Sequence, residues 1–241
     1  MSILEAKKIE PATATTVTLG AVGEAVTIAA SQLKTNTIKD AGANIIFQSD
    51  GAGTLSNVNS ALGGGMVFIS SQAASSSASI SFTSGLDSTY DDYIFYFVSI
   101  HPSVNAAFLQ FQGSTDGGSS YGVTITSTAY TAYNDEGGGS GVLAYTSAYD
   151  LDQSTSFQNI TSGIGTDNDQ IAAGSLQLFT PSSTTYVKNW YTRSQTYEAT
   201  DYSQEYFMSG YFNTTSAIDA IQFKMTSGNI DAGTIYLYGI K

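Results

Sequence analysis

From Met66 onward the chain is a series of short β-type segments separated by Gly, Ser, Asp and Asn. No helical periodicity runs between them. Eleven such segments are expected, over 66–71, 77–83, 92–100, 107–112, 121–133, 141–147, 172–179, 185–197, 205–212, 220–225 and 234–240. Within them apolar and polar side chains alternate. Ile221, Phe223 and Met225, for example, interleave with Ala220, Gln222 and Lys224, the period of a half-buried strand. Many short strands punctuated by turn residues make an all-β sandwich or barrel, here a jelly-roll-like antiparallel β-sandwich over residues 66–241.

The last 24 residues read as a hairpin, with 220–225 and 234–240 joined by a turn-rich run from Thr226 to Gly233. The second segment is apolar or aromatic at nearly every position, so it is expected to lie inside a sheet rather than at its edge. Segment 93–100 is apolar on both sides: Ile94, Tyr96, Val98 and Ile100 against Phe95 and Phe97. Antiparallel strands usually keep one face wet. A second apolar face therefore implies a cover, whether another layer, the N-terminal arm or a neighbouring subunit, and with so few surface charges a subunit interface is the expected one.

Residues 1–65 differ. Ser2 and Glu5 have capping-box spacing and Pro11 halts continuation, giving a short helix over 2–9. A hairpin is expected over 15–29 and a strand over 44–48. These strands are rich in Thr and Ala and offer little apolar area. The expectation is an extended, β-rich attachment arm that leans on partners, ended by Gly63, Gly64 and Gly65.

Charge narrows the partners. Charged residues are 12% of the chain and the net charge is -12, against about 25% charged in an average domain. No Lys or Arg occurs from Asp40 to Val187, a span holding twelve of the twenty acidic residues. Phosphate backbones require cations, so nucleic acid is not an expected partner, and an anionic lipid surface is disfavoured for the same reason. The N-terminus lacks the apolar core of a secretion signal, and no apolar run is long enough for membrane insertion as a helix. The expected place of synthesis is a cytoplasm. With no cysteine, thiolate chemistry and disulfides are excluded.

Candidate chemistry is sparse. His101 is the single histidine, followed by Pro102. No Gly-x-Ser-x-Gly elbow accompanies it, so it is read as a strand-end residue. Carboxylate pairs occur at Asp91/Asp92, Asp135/Glu136, Asp150/Asp152 and Asp167/Asp169. The last two resemble oxygen-rich calcium loops but lack the distal Glu of that motif, and turn formation explains them. The glycine runs lack the helix and Lys of a phosphate cradle. No catalytic residue, metal or cofactor is expected. Sixteen tyrosines and one tryptophan remain, with Tyr186, Trp190, Tyr191, Tyr197, Tyr202, Tyr206 and Tyr211 close together in sequence. Aromatic faces beside amides and hydroxyls suit sugars, whose rings present C–H patches and hydroxyls together. Tyr191, Tyr197, Tyr202 and Tyr206 are the candidate binding residues.

Three stretches, Phe111–Tyr121, Gly210–Ile218 and Ser227–Gly239, resemble the C-terminal β-sandwich modules of virion proteins in tailed bacteriophages, especially tail-fibre and fibre-like proteins of marine and cyanobacterial phages. The resemblance covers about residues 66–241. It implies a structural protein of the virion, made in the host cytoplasm and commonly a homotrimer, with no catalytic motif. Residues 1–65 would join other virion proteins, and the exposed sandwich would contact a host surface glycan or protein. The chain is shorter than most tail fibres, so a capsid decoration protein is an alternative reading. A glycan-degrading or free carbohydrate-binding module is another.

Overall fold

The computed structural model describes residues 37–39, 42–50, 52, 55–58 and 65–240, and the chain divides into two compact units, Met1–Leu62 and Gly63–Lys241. In the first unit β1 (Thr37–Lys39), β2 (Ile45–Ser49) and β3 (Leu55–Val58) form an antiparallel sheet in the order β1-β2-β3. The strand expected over 44–48 is β2, whose five residues are all only half-buried. The helix expected over 2–9 and the hairpin over 15–29 lie outside the described residues.

The second unit contains β4 (Met66–Ala73), β5 (Ile80–Phe82), β6 (Asp92–Pro102), β7 (Leu109–Ser114), β8 (Ile125–Asp135), β9 (Gly141–Tyr145), β10 (Gln158–Asn159), β11 (Ala172–Phe179), β12 (Lys188–Tyr197), β13 (Tyr202–Phe212), β14 (Ala220–Met225) and β15 (Ile230–Ile240). One 3-10 turn, Ser147–Tyr149, follows β9. All eleven expected segments are strands. The one addition, β10, is a two-residue piece in a polar stretch that pairs with β7. Every named pairing in this unit is antiparallel.

These strands form two sheets, one of eight strands (β4-β15-β6-β11-β12-β13-β8-β9) and one of four (β10-β7-β14-β5). Aromatic rings join them face to face as a sandwich. Phe82 and Phe223 on the small sheet meet Phe95 on the large one at 5.3 and 5.4 Å. Phe111 meets Trp190 and Phe212 at 5.0 and 6.0 Å, edge-on, the geometry that ring quadrupoles favour. All six of these aromatic side chains are buried. The backbone adapts where a large ring needs room. A side chain at Gly210 would sit 2.6 Å from the Trp190 indole, so glycine lets β12 and β13 close over it.

Two expectations are corrected here. The terminal segments are not a hairpin: β14 lies between β7 and β5, whereas β15 lies between β4 and β6 in the other sheet. The run from Thr226 to Asn229 is thus a corner between layers. Alternation identifies a strand, but neighbouring strands in sequence need not pair. The interior position expected for the last strand holds. Secondly, Ile100 does not share a face with Ile94, Tyr96 and Val98. Ser99 has φ 53°, and pairing with β11 slips between Phe97 and Ile100. This bulge turns Ile100 inward with Phe95 and Phe97, and all three are fully buried.

Candidate functional site

The small sheet covers the inner face of the large one, and strand alternation sends every second large-sheet residue to the opposite, outer face. Register aligns those residues into rows. One row crosses seven strands: Tyr236, Tyr96, Ser175, Arg193, Phe207, Tyr130 and Tyr145. The next carries Phe68, Tyr238, Ile94, Gln177, Tyr191, Ser209 and Thr128. Strands about 4.8 Å apart bring successive rings into contact. Tyr130 stacks on Phe207 at 5.0 Å with planes 11° apart. Tyr191 leans on Phe179 at 5.6 Å, and Tyr238 touches Phe68 and Tyr96. Phe68, Tyr130, Tyr145 and Tyr191 remain exposed, Tyr145 by 66%.

Three adjoining depressions run over this face. The first, about 440 Å³, is bounded by Phe179, Asn189, Tyr191, Ser209 and Tyr211. Tyr191 and Ser209 also border the second, about 250 Å³, beside Tyr130 and Phe207. Arg193 joins that to a third, about 480 Å³, flanked by Tyr96 and Glu205. Together they make a trough with aromatic walls and hydroxyl or amide groups between them. Its charges largely cancel: the Arg193 guanidinium pairs with Glu205 and lies 5.3 Å from the Phe207 ring centre. The Tyr191 hydroxyl donates to Gln177 Oε1, fixing the ring's tilt. A trough that presents apolar ring faces and neutral hydrogen-bonding groups suits a ligand with both kinds of surface.

The four candidate tyrosines do not form one surface. Tyr191 is 46% exposed and central to the trough. Tyr197 shares its parity on β12 but lies six residues on, about 20 Å away along the strand. Desolvation, then the Glu136 carboxylate, raises its pKa to about 12. Tyr202 falls on the opposite parity, packed at 5.4 Å against Tyr133 in a separate depression of about 300 Å³ with Glu198 and Thr200. Tyr206 is fully buried, its ring 5.3 Å from Tyr149, and burial pushes its pKa well above the usual phenol value. It therefore leaves the candidate set. Its parity was readable, since Tyr206, Met208 and Phe212 alternate with Glu205 and Ser209. Phe207, Tyr130, Phe179 and Arg193, which sequence reasoning passed over, join Tyr191 instead. They come from four strands and only register assembles them.

The remaining candidates serve local structure. His101 Nδ1 is 3.8 Å from Asp231 Oδ2, and its buried Nε2 has no hydrogen-bond partner. No serine is therefore set up as a nucleophile by it. Asp150 accepts the Ala129 N–H at 2.8 Å and the Tyr145 hydroxyl. Asp167 caps a turn through its carbonyl, 2.9 Å from Gln170 N. Among the described residues, no three His, Asp or Glu side chains converge as a metal site, and no helix is long and apolar enough to cross a membrane. No family model, curated protein or solved structure matches this chain.

Proposed function

We propose that this chain is a structural, non-enzymatic virion protein, a short tail-fibre or fibre-like component whose sandwich meets a glycan on the host surface through the outer trough. The observation that carries the reading is the trough itself: Tyr191, Tyr130 and Phe207 present rings beside Ser209, Asn189 and Gln177, with one internally paired cation. Protein surfaces seldom expose a contiguous aromatic patch without a contact to make. The resemblance of three stretches to phage fibre modules supplies the biological setting, and the acidic balance fits a partner other than nucleic acid. Residues 1–65 attach the chain to the particle. The adjoining pair Phe68 and Tyr238, beyond Tyr96 at the other end of the same face, is where copies meet in a homotrimer.

The test is binding of the full chain to host-envelope polysaccharide, compared with Tyr191→Ala and Tyr130→Ala. Each ring is expected to contribute about tenfold, the effect of roughly 1.4 kcal/mol at 25 °C. Undiminished binding by the double variant would refute the assignment of the trough. Labelling of intact particles with an antibody to this chain tests the virion setting separately.

A further inference from the structure

At one end of the sandwich two connections face each other: 115–124, between β7 and β8, and 213–219, between β13 and β14. Between them lies a cavity of about 370 Å³, bordered by Thr115, Ser120, Tyr121, Thr124, Asn213 and Thr214. It shares no residue with the trough depressions, and nothing in the proposed function uses it. Its size is within the range of about 300–1,000 Å³ typical of small-molecule sites.

Both walls are built in advance. Asp116 organises the first. Its carboxylate accepts the Ser114 hydroxyl at 2.7 Å, the Ser120 N–H at 2.9 Å and the Ser120 hydroxyl at 2.5 Å. These bonds, the Ser120 hydroxyl's foremost, hold its pKa down at about 2. Gly117 N–H reaches across to Asp219 Oδ1 at 3.0 Å, tying the first wall to the second. Gly118, at φ +85°, passes so near Tyr121 that a side chain would stand 2.8 Å from the phenol oxygen. In the second wall Asn213 N–H donates to the Thr124 carbonyl at 2.7 Å, and its amide group to Gln153 Oε1 at 2.6 Å. The buried Lys188 ammonium donates to the Thr214 carbonyl at 3.1 Å. Such rigidity lowers the ordering cost of binding.

What the walls offer is neutral. No side chain bordering the cavity is charged. The backbone N–H groups of Tyr121, Gly122, Val123 and Thr124 make no hydrogen bond to the rest of the chain among the described residues. These four backbone residues, the Thr115 and Thr124 side chains and the Tyr121 side chain all border the one cavity. We infer that this end cavity binds one uncharged sugar or similar polyol, independently of the trough. An anionic ligand would find donors but no cation on the border of the cavity to offset its desolvation, the Lys188 ammonium being directed at the Tyr186 and Thr214 carbonyls. An apolar one would leave the donors without water or partner.

Gly122 provides the test, because it borders the cavity and a side chain added there meets nothing within 4 Å, so a bulky one crowds the cavity mouth without disturbing the wall. Titration of the full chain with glucose, galactose, mannose and N-acetylglucosamine, followed by saturation-transfer NMR, is expected to show millimolar binding of at least one. Glucuronate is expected to bind at least tenfold more weakly. Gly122→Leu should lower the affinity at least tenfold with an unchanged melting temperature, and Thr115→Trp, on the exposed rim, should do the same. Tyr191→Ala should leave it unaltered. Absence of binding by all four sugars overturns the inference. So does binding that survives both cavity variants, or that is lost only with Tyr191→Ala, which would move the sugar to the trough. Failure of the trough variants alone leaves this inference standing.

Discussion

The sandwich has two outward surfaces, and they are made of different material. On the four-stranded sheet, outward positions carry amides and hydroxyls. Gln110 donates to Asn159 at 2.8 Å, Gln222 to Ser81 at 2.9 Å, and Gln112 to the carbonyls of Thr155 and Ser156 at 3.2 and 2.9 Å. Lys224 lies over the Phe157 ring at 3.9 Å. These side chains are partnered within the chain, and Gln112 is fully buried beneath its loop. On the eight-stranded sheet, outward positions carry Tyr and Phe, many of them open. Both surfaces cover the same kind of core, so packing does not explain the difference. One face is finished by its own chain, whereas the other leaves its aromatic rings open.

That contrast has a consequence for stability. Gln112→Ala removes a buried amide whose oxygen also accepts the Gly113 N–H at 2.7 Å. The Thr155 and Ser156 carbonyls and that N–H would lose their partner beneath the loop. A loss of about 1–3 kcal/mol is expected, since buried polar groups left unpaired carry their full desolvation cost. Urea denaturation measures it. A loss below about 0.5 kcal/mol, the level of ordinary surface substitutions, would mean that the two faces are not finished differently.

The strands were legible because turn residues and alternation are local signals. β11 and β14 begin and end at the residues that alternation marks, 172–179 and 220–225. What was not legible depends on partners. Pairing sent β14 and β15 to different sheets, and no pattern within either strand carries that information. The bulge at Ser99 reversed the parity of Ile100, although serine has no strong preference for positive φ. β10 has no apolar residue to signal it. The site followed the same rule. An aromatic-rich region was visible, but sorting it needed parity, which separates Tyr191 from Tyr206, and register, which brings Phe207 and Tyr130 to Tyr191 from β13 and β8.

Tyr206 tests the buried side of that sorting. Its hydroxyl makes no well-aligned hydrogen bond, so Tyr206→Phe should be neutral or stabilising by up to about 1 kcal/mol near pH 7. The pH dependence is more specific. Burial holds the folded-state pKa above the ordinary phenol value of about 10, so above pH 10 the folded chain holds a proton that the unfolded chain releases. The associated stability is intact below about pH 10 and falls as pH rises beyond it. The wild-type urea midpoint should therefore drop more steeply than that of Tyr206→Phe between about pH 9 and 11, the region where free tyrosine titrates. Tyr93, also raised by desolvation, leaves a residual slope in both. Parallel profiles would show that Tyr206 is hydrated in solution.

Tyr191→Ala is expected to have the smallest effect on stability, although Tyr191 is as large as Tyr206 and belongs to the adjacent strand. Its ring is nearly half exposed and touches Phe179 on one side, and its hydroxyl bonds to Gln177 on an exposed surface where water can replace it. The change should stay within about 0.5 kcal/mol, the range of surface positions, while glycan binding through the trough falls. The two readouts must separate. If Tyr191→Ala destabilises the chain as much as Gln112→Ala does, the ring is part of the packing and the outer face is structural. If stability holds and binding falls, the open aromatic row is kept for contact, because removing a ring from it costs the fold almost nothing.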